Sequence, residues 1–437
     1  MSVPRVVTES LGGSALARAV QAGSLDARIA VRAPAGVDAW RARAREVAGS
    51  ASRGWFPMLR EAFGASGAAL DRLERVATGG GAVVTTGQQA GLFGGPIYTW
   101  SKALGALAMA DAIQRETGVP TAPVFWAATD DADYAEASYT YVIVDGRVER
   151  LVAADEPATG TPMALAALGD VGPQLRRLRE GCGSMSYELA YTAAESSYGG
   201  RTTVGGAYVA LLRGLLEPLG IAVLDASHPA VRHAGAKMLD SALQRAGDVA
   251  AALDARHAWL TASGYTPQVA DVAGLSTGFV HEGGRKRRVP LEEAAAVGRS
   301  ARPDGLSPNV LLRPVVERAV LPTVAYLAGP GELAYFAQVS AVAEALDAAQ
   351  PLAVPRWSCT IVEPAVDRAL ARLGTGLDDL KDGGALTARA ARDAVPDRVQ
   401  GALDDLRRAL REGLGALAEG DGATPGGPLL SDAVVAG

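Results

Sequence analysis

The sequence predicts an α/β protein built on a parallel sheet that helices cover on both faces. Short apolar runs rich in β-branched residues recur along the chain, and continuous apolar runs indicate strands buried on both sides. Longer stretches with helical periodicity separate these runs, which is the order of elements in βαβ units. The predicted strands are residues 82–86, 122–128, 220–226, 322–329 and 351–357.

A glycine-rich loop follows the first strand, in the segment VVTTGQQAGLFGGPIYTWSKA. It is neither a Walker A loop nor the dinucleotide fingerprint GxGxxG. Ligands of open parallel sheets bind beyond the carboxyl ends of the strands. The neutral amides of Gln88 and Gln89 and the cation of Lys102 can therefore contact a ligand there. The alternative is a tight turn made by the glycines, with Lys102 in solvent.

The helix after this loop is predicted over residues 97–116, with Leu104, Leu107 and Ala108 on one face. Pro96 stands where a first-turn proline is tolerated. Glycines let the backbone approach a ligand, and a helix N-terminus favours an anion.

Carboxylates cluster after the second strand, in the segment FWAATDDADYAE. Asp130, Asp131 and Asp133 can hold a substrate ammonium, a Mg²⁺ ion or sugar hydroxyls. The alternative is a helix N-terminus whose dipole the acidic residues complement.

A third candidate segment is LSPNVLLRPVVERAVLPTVAYLAGPGELAYFAQ. Its second half repeats the order of strand, glycine-rich loop and helix start. Asn309 and Arg313 can reach a carboxylate or phosphate, and arginine can do so with two hydrogen bonds. The alternatives are a helix cap for Asn309, a surface ion pair for Arg313 and a dipole-complementing role for Glu332.

Two regions depart from the regular alternation of strands and helices. A hairpin with its turn at Asp145-Gly146 is predicted over residues 138–154, where it opens an insertion between the second and third strands. After residue 364, leucines and valines recur at spacings of four and three, which predicts a coiled-coil arm that glycines interrupt at Gly374 and Gly376. No returning helix follows, so the arm is expected to be incomplete or to pair with another subunit.

Composition and charge exclude several classes of protein. The 437 residues are 49% hydrophobic and 21% charged, and the net charge of −6 argues against nucleic acid or an anionic membrane as a partner. The basic run at 285–288 is interpreted as a solvated hairpin. Two cysteines and no targeting signal or apolar span predict a cytoplasmic protein. The four histidines lie outside the three loops, so no metal site is predicted.

Seven segments, taken together, resemble one protein family, the bacillithiol biosynthesis cysteine-adding enzymes (BshC). They are TGQQAGLFGGPIYTWSKA, PVFWAATDDADYAE, GIAVLDASHPAVR, GYTPQV, SPNVLLRPVVE, LPTVAYLAGPGELAYFAQ and VPRWSCTIVEP, in the family's order. The resemblance covers about residues 83–364. It implies a Rossmann-like core related to class I nucleotidyl-transfer ligases, with inserted connecting-peptide segments and a coiled-coil dimerisation arm. We expect the core at 1–364, with insertions at about 138–205 and 265–305, and the helical arm at 365–437.

The resemblance also implies a reaction, the addition of cysteine to glucosaminyl-malate through an amide bond, as the last step of bacillithiol synthesis. ATP would activate the cysteine carboxylate, although HxGH and KMSKS-like signatures are absent from the sequence. ATP is thus a cosubstrate by resemblance alone, and the cofactor is otherwise unknown. Catalytic roles are predicted for Asp131, Asp133 and Lys102. Substrate-binding roles are predicted for Thr86, Gly87, Gln88, Gln89, Tyr98, Asp130, Asn309, Arg313, Gly331, Glu332 and Tyr335.

The sequence departs from the family pattern at its acidic segment. The family's usual glycine, glutamate and histidine there are replaced by Thr129, Asp130 and Ala132. Two other readings therefore stay open: a related ligase with another amine acceptor, and a non-catalytic nucleotide- or sugar-binding protein of the same fold.

Overall fold

The computed structural model describes residues 3–51, 54–153, 155–182, 188–270 and 272–420. They form two compact units. One is Ser10–Ser358, and in the other the N-terminal residues up to Glu9 join those from Cys359 onward.

The strands are β1 (Arg5–Thr8), β2 (Ala82–Gln89), β3 (Thr121–Ala128), β4 (Tyr139–Val144), β5 (Arg147–Val152), β6 (Ala222–Asp225), β7 (Leu275–Glu282), β8 (Arg285–Pro290), β9 (Leu306–Pro308), β10 (Thr323–Ala328), β11 (Ala353–Pro355) and β12 (Cys359–Val362). The helices are α1 (Ala15–Gln21), α2 (Val37–Ser50), α3 (Trp55–Phe63), α4 (Gly67–Gly79), α5 (Ile97–Thr117), α6 (Tyr134–Ala137), α7 (Gly172–Cys182), α8 (Glu188–Tyr198), α9 (Val204–Leu216), α10 (Pro229–Gln244), α11 (Ala246–Ala262), α12 (Leu291–Ser300), α13 (Arg313–Val320), α14 (Pro330–Ala345), α15 (Pro364–Arg372), α16 (Gly383–Asp393) and α17 (Asp397–Gly420).

A five-stranded parallel sheet forms the centre of the larger unit, with strand order β11-β10-β2-β3-β6. All five predicted strands are therefore confirmed. From β2 the chain winds outward through β3 to β6, then crosses to β10 and β11 on the other side. The winding direction reverses between β2 and β10, which is the doubly wound order of a Rossmann-like sheet and places a crevice beyond the ends of these two strands.

Both faces of the sheet are apolar, as continuous hydrophobic strands require. Val83 of β2 and Val124 of β3 belong to the core that includes α3, α4, α10, α13 and α14. Val84, one residue further along β2, packs on the opposite face with α2 and α5. Alternate residues of a strand therefore contact different helix layers, and neither face is left to solvent.

Helix α5 forms where predicted, but of the three residues on the expected face only Leu107 packs against the core, and it is half-buried. Leu104 is 46% exposed, whereas Ala103, Ala106 and Ala110 are fully buried. Small side chains bring this helix very close to the sheet, and a Cβ added at Gly105 would lie 2.6 Å from Leu327 Cδ2. Close approach, rather than leucine content, thus selects the buried face.

The segment between β3 and β6 carries the predicted hairpin, formed by β4 and β5 in antiparallel register. Its turn residues have positive φ, +50° at Asp145 and +75° at Gly146. A two-residue turn with both φ angles positive matches the twist of the strands it joins. A second hairpin, β7–β8, pairs with β9 in a three-stranded antiparallel sheet.

The smaller unit joins β1 to β12 in antiparallel register and continues through α15, α16 and α17. Helix α15 ends at Arg372, and Gly374, one of the predicted interruptions, follows with a φ of +57°. Val399, Leu403, Leu406 and Leu410 of α17 are 40% to 62% exposed. A coiled-coil partner for this stripe stays a prediction, and the predicted end of the arm at 421–437 lies outside the described residues.

Across the part of the chain that the structure describes, no helix combines the length and apolar character needed to cross a membrane.

Candidate active site

A cavity of about 650 Å³ opens at the reversal point of the sheet, beyond the ends of β2, β3 and β10. Twelve of the fourteen residues predicted for the site line it: Gly87, Gln88, Gln89, Tyr98, Lys102, Asp130, Asp131, Asn309, Arg313, Gly331, Glu332 and Tyr335. The three loops chosen from sequence therefore meet in one place. The roles predicted for these residues stay predictions.

Two predicted residues do not line the cavity. The hydroxyl of Thr86 is buried and donates to the main-chain oxygen of Leu327 at 2.9 Å, so it links β2 to β10. The carboxylate of Asp133 accepts from the main-chain N–H of Glu136 at 3.0 Å. Asp133 is thus the N-cap of α6, which is the alternative that the sequence left open for the acidic segment.

Lys102 is a buried cation, and three acceptors hold its ammonium in position. Its Nζ lies 2.6 Å from Glu332 Oε2 and donates to the main-chain oxygen of Gly87 at 2.9 Å and to Gln88 Oε1 at 3.0 Å. Burial lowers the pKa of Lys102, and the Glu332 carboxylate opposes that shift. The alternative of a lysine in solvent is wrong, since the residue is only 3% exposed.

Glu332 joins this ion pair to the start of α14. Its Oε2 accepts from the main-chain N–H of Gly329 at 2.6 Å, and its Oε1 accepts from the Tyr326 hydroxyl at 2.6 Å. Burial by itself raises the pKa of Glu332, but Lys102, Tyr326 and the Gly329 N–H together hold it below its ordinary value. Glu332 is therefore a carboxylate with both oxygens occupied.

Arg313 extends the same set of contacts through α13. Its guanidinium donates to the hydroxyls of Tyr335 at 3.0 Å and Tyr326 at 3.3 Å, and to Glu317 Oε2 at 3.2 Å. Glu317 also accepts from the hydroxyl of Thr85. Burial raises the pKa of Glu317 to about 7, although Arg313 and Thr85 lower it. We call Lys102, Glu332, Tyr326, Arg313 and Glu317 the buried network.

The acidic loop, residues 129–133, forms the other side of the cavity. Asp131 Oδ1 accepts from the main-chain N–H groups of Ala132 at 2.6 Å and Asp133 at 3.3 Å. Its Oδ2 accepts from the amide of Gln89. Asn309 has a comparable local role, because its Oδ1 accepts from the N–H groups of Leu311 and Leu312 at 3.1 and 2.9 Å.

Several glycines of the loop after β2 lie where a side chain would not fit. A Cβ at Gly91 would lie 2.6 Å from Gly95 Cα, and one at Gly94 would lie 2.5 Å from the Trp100 ring. Gly87 differs, because it lines the cavity and a Cβ there would lie 2.8 Å from the main-chain oxygen of Trp126. The loop is therefore shaped by its glycines, while its glutamines contact the cavity.

Several polar lining residues were not predicted from the sequence, namely Trp126, Lys286, Arg288, Tyr326 and Arg356. The interpretation of the basic run as a solvated hairpin is wrong for two of its members, since the Lys286 side chain is only 9% exposed and Arg288 also lines the cavity. Lys286 and Arg288 are two residues apart, so on a strand they point to the same face, and this spacing could have predicted that they lie together. Trp126 Nε1 is buried with no hydrogen-bond partner among the described residues, so it can donate to a bound molecule or water.

The formal charge of the lining is positive, although the whole chain carries −6. Five cationic side chains face three carboxylates there. The cations are Lys102, Lys286, Arg288, Arg313 and Arg356, and the carboxylates are Asp130, Asp131 and Glu332. An excess of two positive charges favours an anionic ligand, and the carboxylates beside it can accept from an ammonium.

The fold and cavity define an α/β protein of the Rossmann-like class with a binding site for a small polar molecule at the sheet's reversal point. Residues 57–357 match the family model described as "Bacillithiol biosynthesis BshC, N-terminal Rossmann-like domain". The chain belongs to the BshC family.

Individual relatives agree with this assignment. The chain is 34% identical over 338 residues to a protein of Solibacter usitatus, covering 75% of this chain and 64% of the relative. It is 32% identical over 384 residues to a protein of Koribacter versatilis, and this match covers 83% of this chain and 71% of the relative. It is 28% identical over 343 residues to a protein of Geobacillus thermodenitrificans, and this match covers 74% of this chain and 63% of the relative. Each relative is named "Putative cysteine ligase BshC", and the matches span about two thirds of their lengths.

Proposed function

We propose that this protein is a ligase that joins L-cysteine to glucosaminyl-malate through an amide bond, the last step of bacillithiol biosynthesis. The names of its relatives and of its family support the reaction. The observation that carries the proposal is the charge pattern of the cavity, which has an excess of two positive charges and also a pair of aspartates from the acidic loop. That pattern complements a dicarboxylate that also carries an amine, which is the chemistry of the proposed acceptor.

The two sides of the cavity can bind different parts of the reactants. Asp131 has both oxygens oriented by neighbouring donors, so it can accept from an ammonium at a defined position. Gln88 and Gln89 are neutral and suit the hydroxyls of a sugar. Lys102 and Arg313 present positive charge from the buried network toward a carboxylate. Asp133 and Thr86 would act only indirectly, through the acidic loop and the strand pairing.

Amide formation at neutral pH requires an activated carboxylate, because a free carboxylate is a poor electrophile. We propose ATP as the activating cosubstrate. The cysteine carboxylate would attack the α-phosphorus of ATP and displace pyrophosphate, and the acceptor amine would then attack the acyl carbon and displace AMP, with loss of a proton from the amine. The support is the likeness of the predicted fold to class I nucleotidyl-transfer ligases. Homodimerisation through the exposed stripe of α17 and a cytoplasmic location are further proposals, the latter supported by the two unpaired cysteines, Cys182 and Cys359.

The direct test incubates the purified protein with cysteine and glucosaminyl-malate, with and without ATP–Mg²⁺, and detects bacillithiol by mass spectrometry. Product only with ATP is the expected result. Product without ATP would remove the adenylation step from the proposal. A folded protein that binds glucosaminyl-malate but makes no product would favour a non-catalytic binding protein, and product with a different amine would favour a related ligase.

A further inference from the structure

We propose that Lys286 and Arg288, side by side on β8, bind the two carboxylates of the acceptor and so determine its selection. The inference deepens the proposed function and rests on it for the identity of the acceptor. It concerns residues that the sequence alone placed in solvent.

The basic run alternates between two environments because successive side chains of a strand point to opposite faces. Lys286 and Arg288 line the cavity. Arg285 is exposed, and Arg287 is also exposed and pairs with Glu293 at 3.1 Å and Glu282 at 3.5 Å. One strand therefore presents two cations to the cavity and two to solvent.

Contacts with neighbouring elements hold both inward cations in place. Lys286 Nζ donates to the main-chain oxygen of Asp130 at 3.1 Å and lies 4.4 Å from the centre of the Phe279 ring. Its distance to Asp130 Oδ2 is 3.8 Å. Arg288 Nε donates to the main-chain oxygen of Ser276 at 2.8 Å. These contacts hold the Lys286 ammonium and the Arg288 Nε against the cavity wall, so little rotamer entropy remains to be lost on binding.

This strand supplies two of the five cations that line the cavity. Without Lys286 and Arg288, three cations would face three carboxylates in the lining. Lys102 is already paired with Glu332 and Arg313 with Glu317, at 2.6 and 3.2 Å. Lys286 also has a carboxylate nearby, at 3.8 Å from Asp130 Oδ2, so the β8 pair contributes two of the five cations that a dianionic ligand meets in the lining. A malate group has two carboxylates, one for each of these two cations.

The test compares binding of glucosaminyl-malate and of its dimethyl ester by isothermal titration calorimetry. The proteins are the wild type, Lys286→Met, Arg288→Met and the matched outward variants Arg285→Met and Arg287→Met. We expect wild type to prefer the diacid, and each inward variant to weaken diacid binding about tenfold without changing ester binding. The outward variants should stay within about twofold of wild type. Lys286→Arg and Arg288→Lys keep the charge, so their affinity for the diacid should stay within about threefold of wild type. They replace the methionine variants in the comparison if one of those does not fold.

Steady-state kinetics separates this proposal from the ligase reaction itself. We expect the KM for the acceptor to rise about tenfold in each inward variant, with the KM values for cysteine and ATP within twofold. If ATP is the reactant whose KM rises, the site binds phosphate and the proposal is wrong. Equal wild-type affinity for diacid and ester would also overturn it. If the diacid binds in a charge-dependent way but no product forms, the binding site is supported and the ligase reaction is refuted. If product forms and the acceptor KM is unchanged in the inward variants, the ligase reaction is supported and the binding site is refuted.

Discussion

The buried network and the acidic loop lie on opposite sides of one cavity, and they hold their charges in different ways. In the network, Lys102 and Glu332 have side chains only 4% and 16% exposed and contact each other directly at 2.6 Å. In the loop, Asp131 is held by main-chain N–H groups and by the neutral amide of Gln89. Loss of one charge from the network leaves an opposite charge buried and unpaired, while loss of Asp131 leaves only neutral donors. Substitutions in the buried network should therefore mainly lower the stability of the fold, and substitutions in the acidic loop should mainly lower the reaction rate.

The largest expected effect is that of Lys102→Met. It leaves Glu332 without its cation in a buried position, and we expect the free energy of unfolding to fall by about 3–5 kcal/mol, with loss of activity. Denaturant unfolding followed by circular dichroism measures this change. The double variant Lys102→Met/Glu332→Gln is the control, and it should be more stable than the sum of the single changes predicts. A single variant within about 1 kcal/mol of wild type would refute the coupling.

Asp131→Ala should have its main effect on the rate. If Asp131 positions a reacting ammonium, kcat/KM should fall about 10²-fold or more while the free energy of unfolding changes by less than about 1 kcal/mol. Asp131→Asn retains the oxygen that accepts from the loop, so it separates charge from loop geometry. A rate change below about threefold would remove Asp131 from the catalytic set.

Glu317→Gln tests the network through pH. Burial raises the pKa of Glu317 from 4.5 to about 7, so the folded state binds the proton more tightly than the unfolded state. The stability from this proton is complete below about pH 4.5 and is lost as the pH rises to about 7. In the glutamine variant, the fall in unfolding free energy between pH 5 and pH 8 should shrink by about 2 kcal/mol. An unchanged pH dependence would assign that fall to other groups.

Asp133→Ala is expected to have the smallest effect, and it sharpens the contrast within the acidic loop. Because Asp133 caps α6 and does not line the cavity, its removal should lower the free energy of unfolding by about 1 kcal/mol. The rate should stay within about threefold of wild type. A rate loss as large as that of Asp131→Ala would instead restore the catalytic role predicted for Asp133 from sequence.

Sequence patterns were sufficient for the elements that local chemistry dictates. The continuous apolar runs predicted every strand of the sheet, since strands buried on both faces need no alternation. The turn at Asp145-Gly146 was predicted because few residue pairs accept two positive φ angles. The loops that converge on the cavity were found because the ends of parallel strands share one edge of the sheet.

Other features depended on distances that the sequence does not contain. The leucines of α5 did not identify its fully buried residues, because contact with the sheet selects small side chains over leucine. Glu317, 232 residues from its hydrogen-bond partner Thr85, has no local signal for its raised pKa. The inward direction of Lys286 and Arg288 follows from the register of β7–β8, which a run of four basic residues leaves undecided.

The sequence by itself thus determined the parallel sheet, the order of its strands along the chain and the three loops that carry polar groups to its edge. The tertiary structure decided which of those groups are buried together, which cations face the cavity, and hence the sign of its charge. The physical reason is range. Strand, helix and turn propensities act over a few neighbouring residues, whereas burial and charge pairing depend on residues brought together from distant parts of the chain.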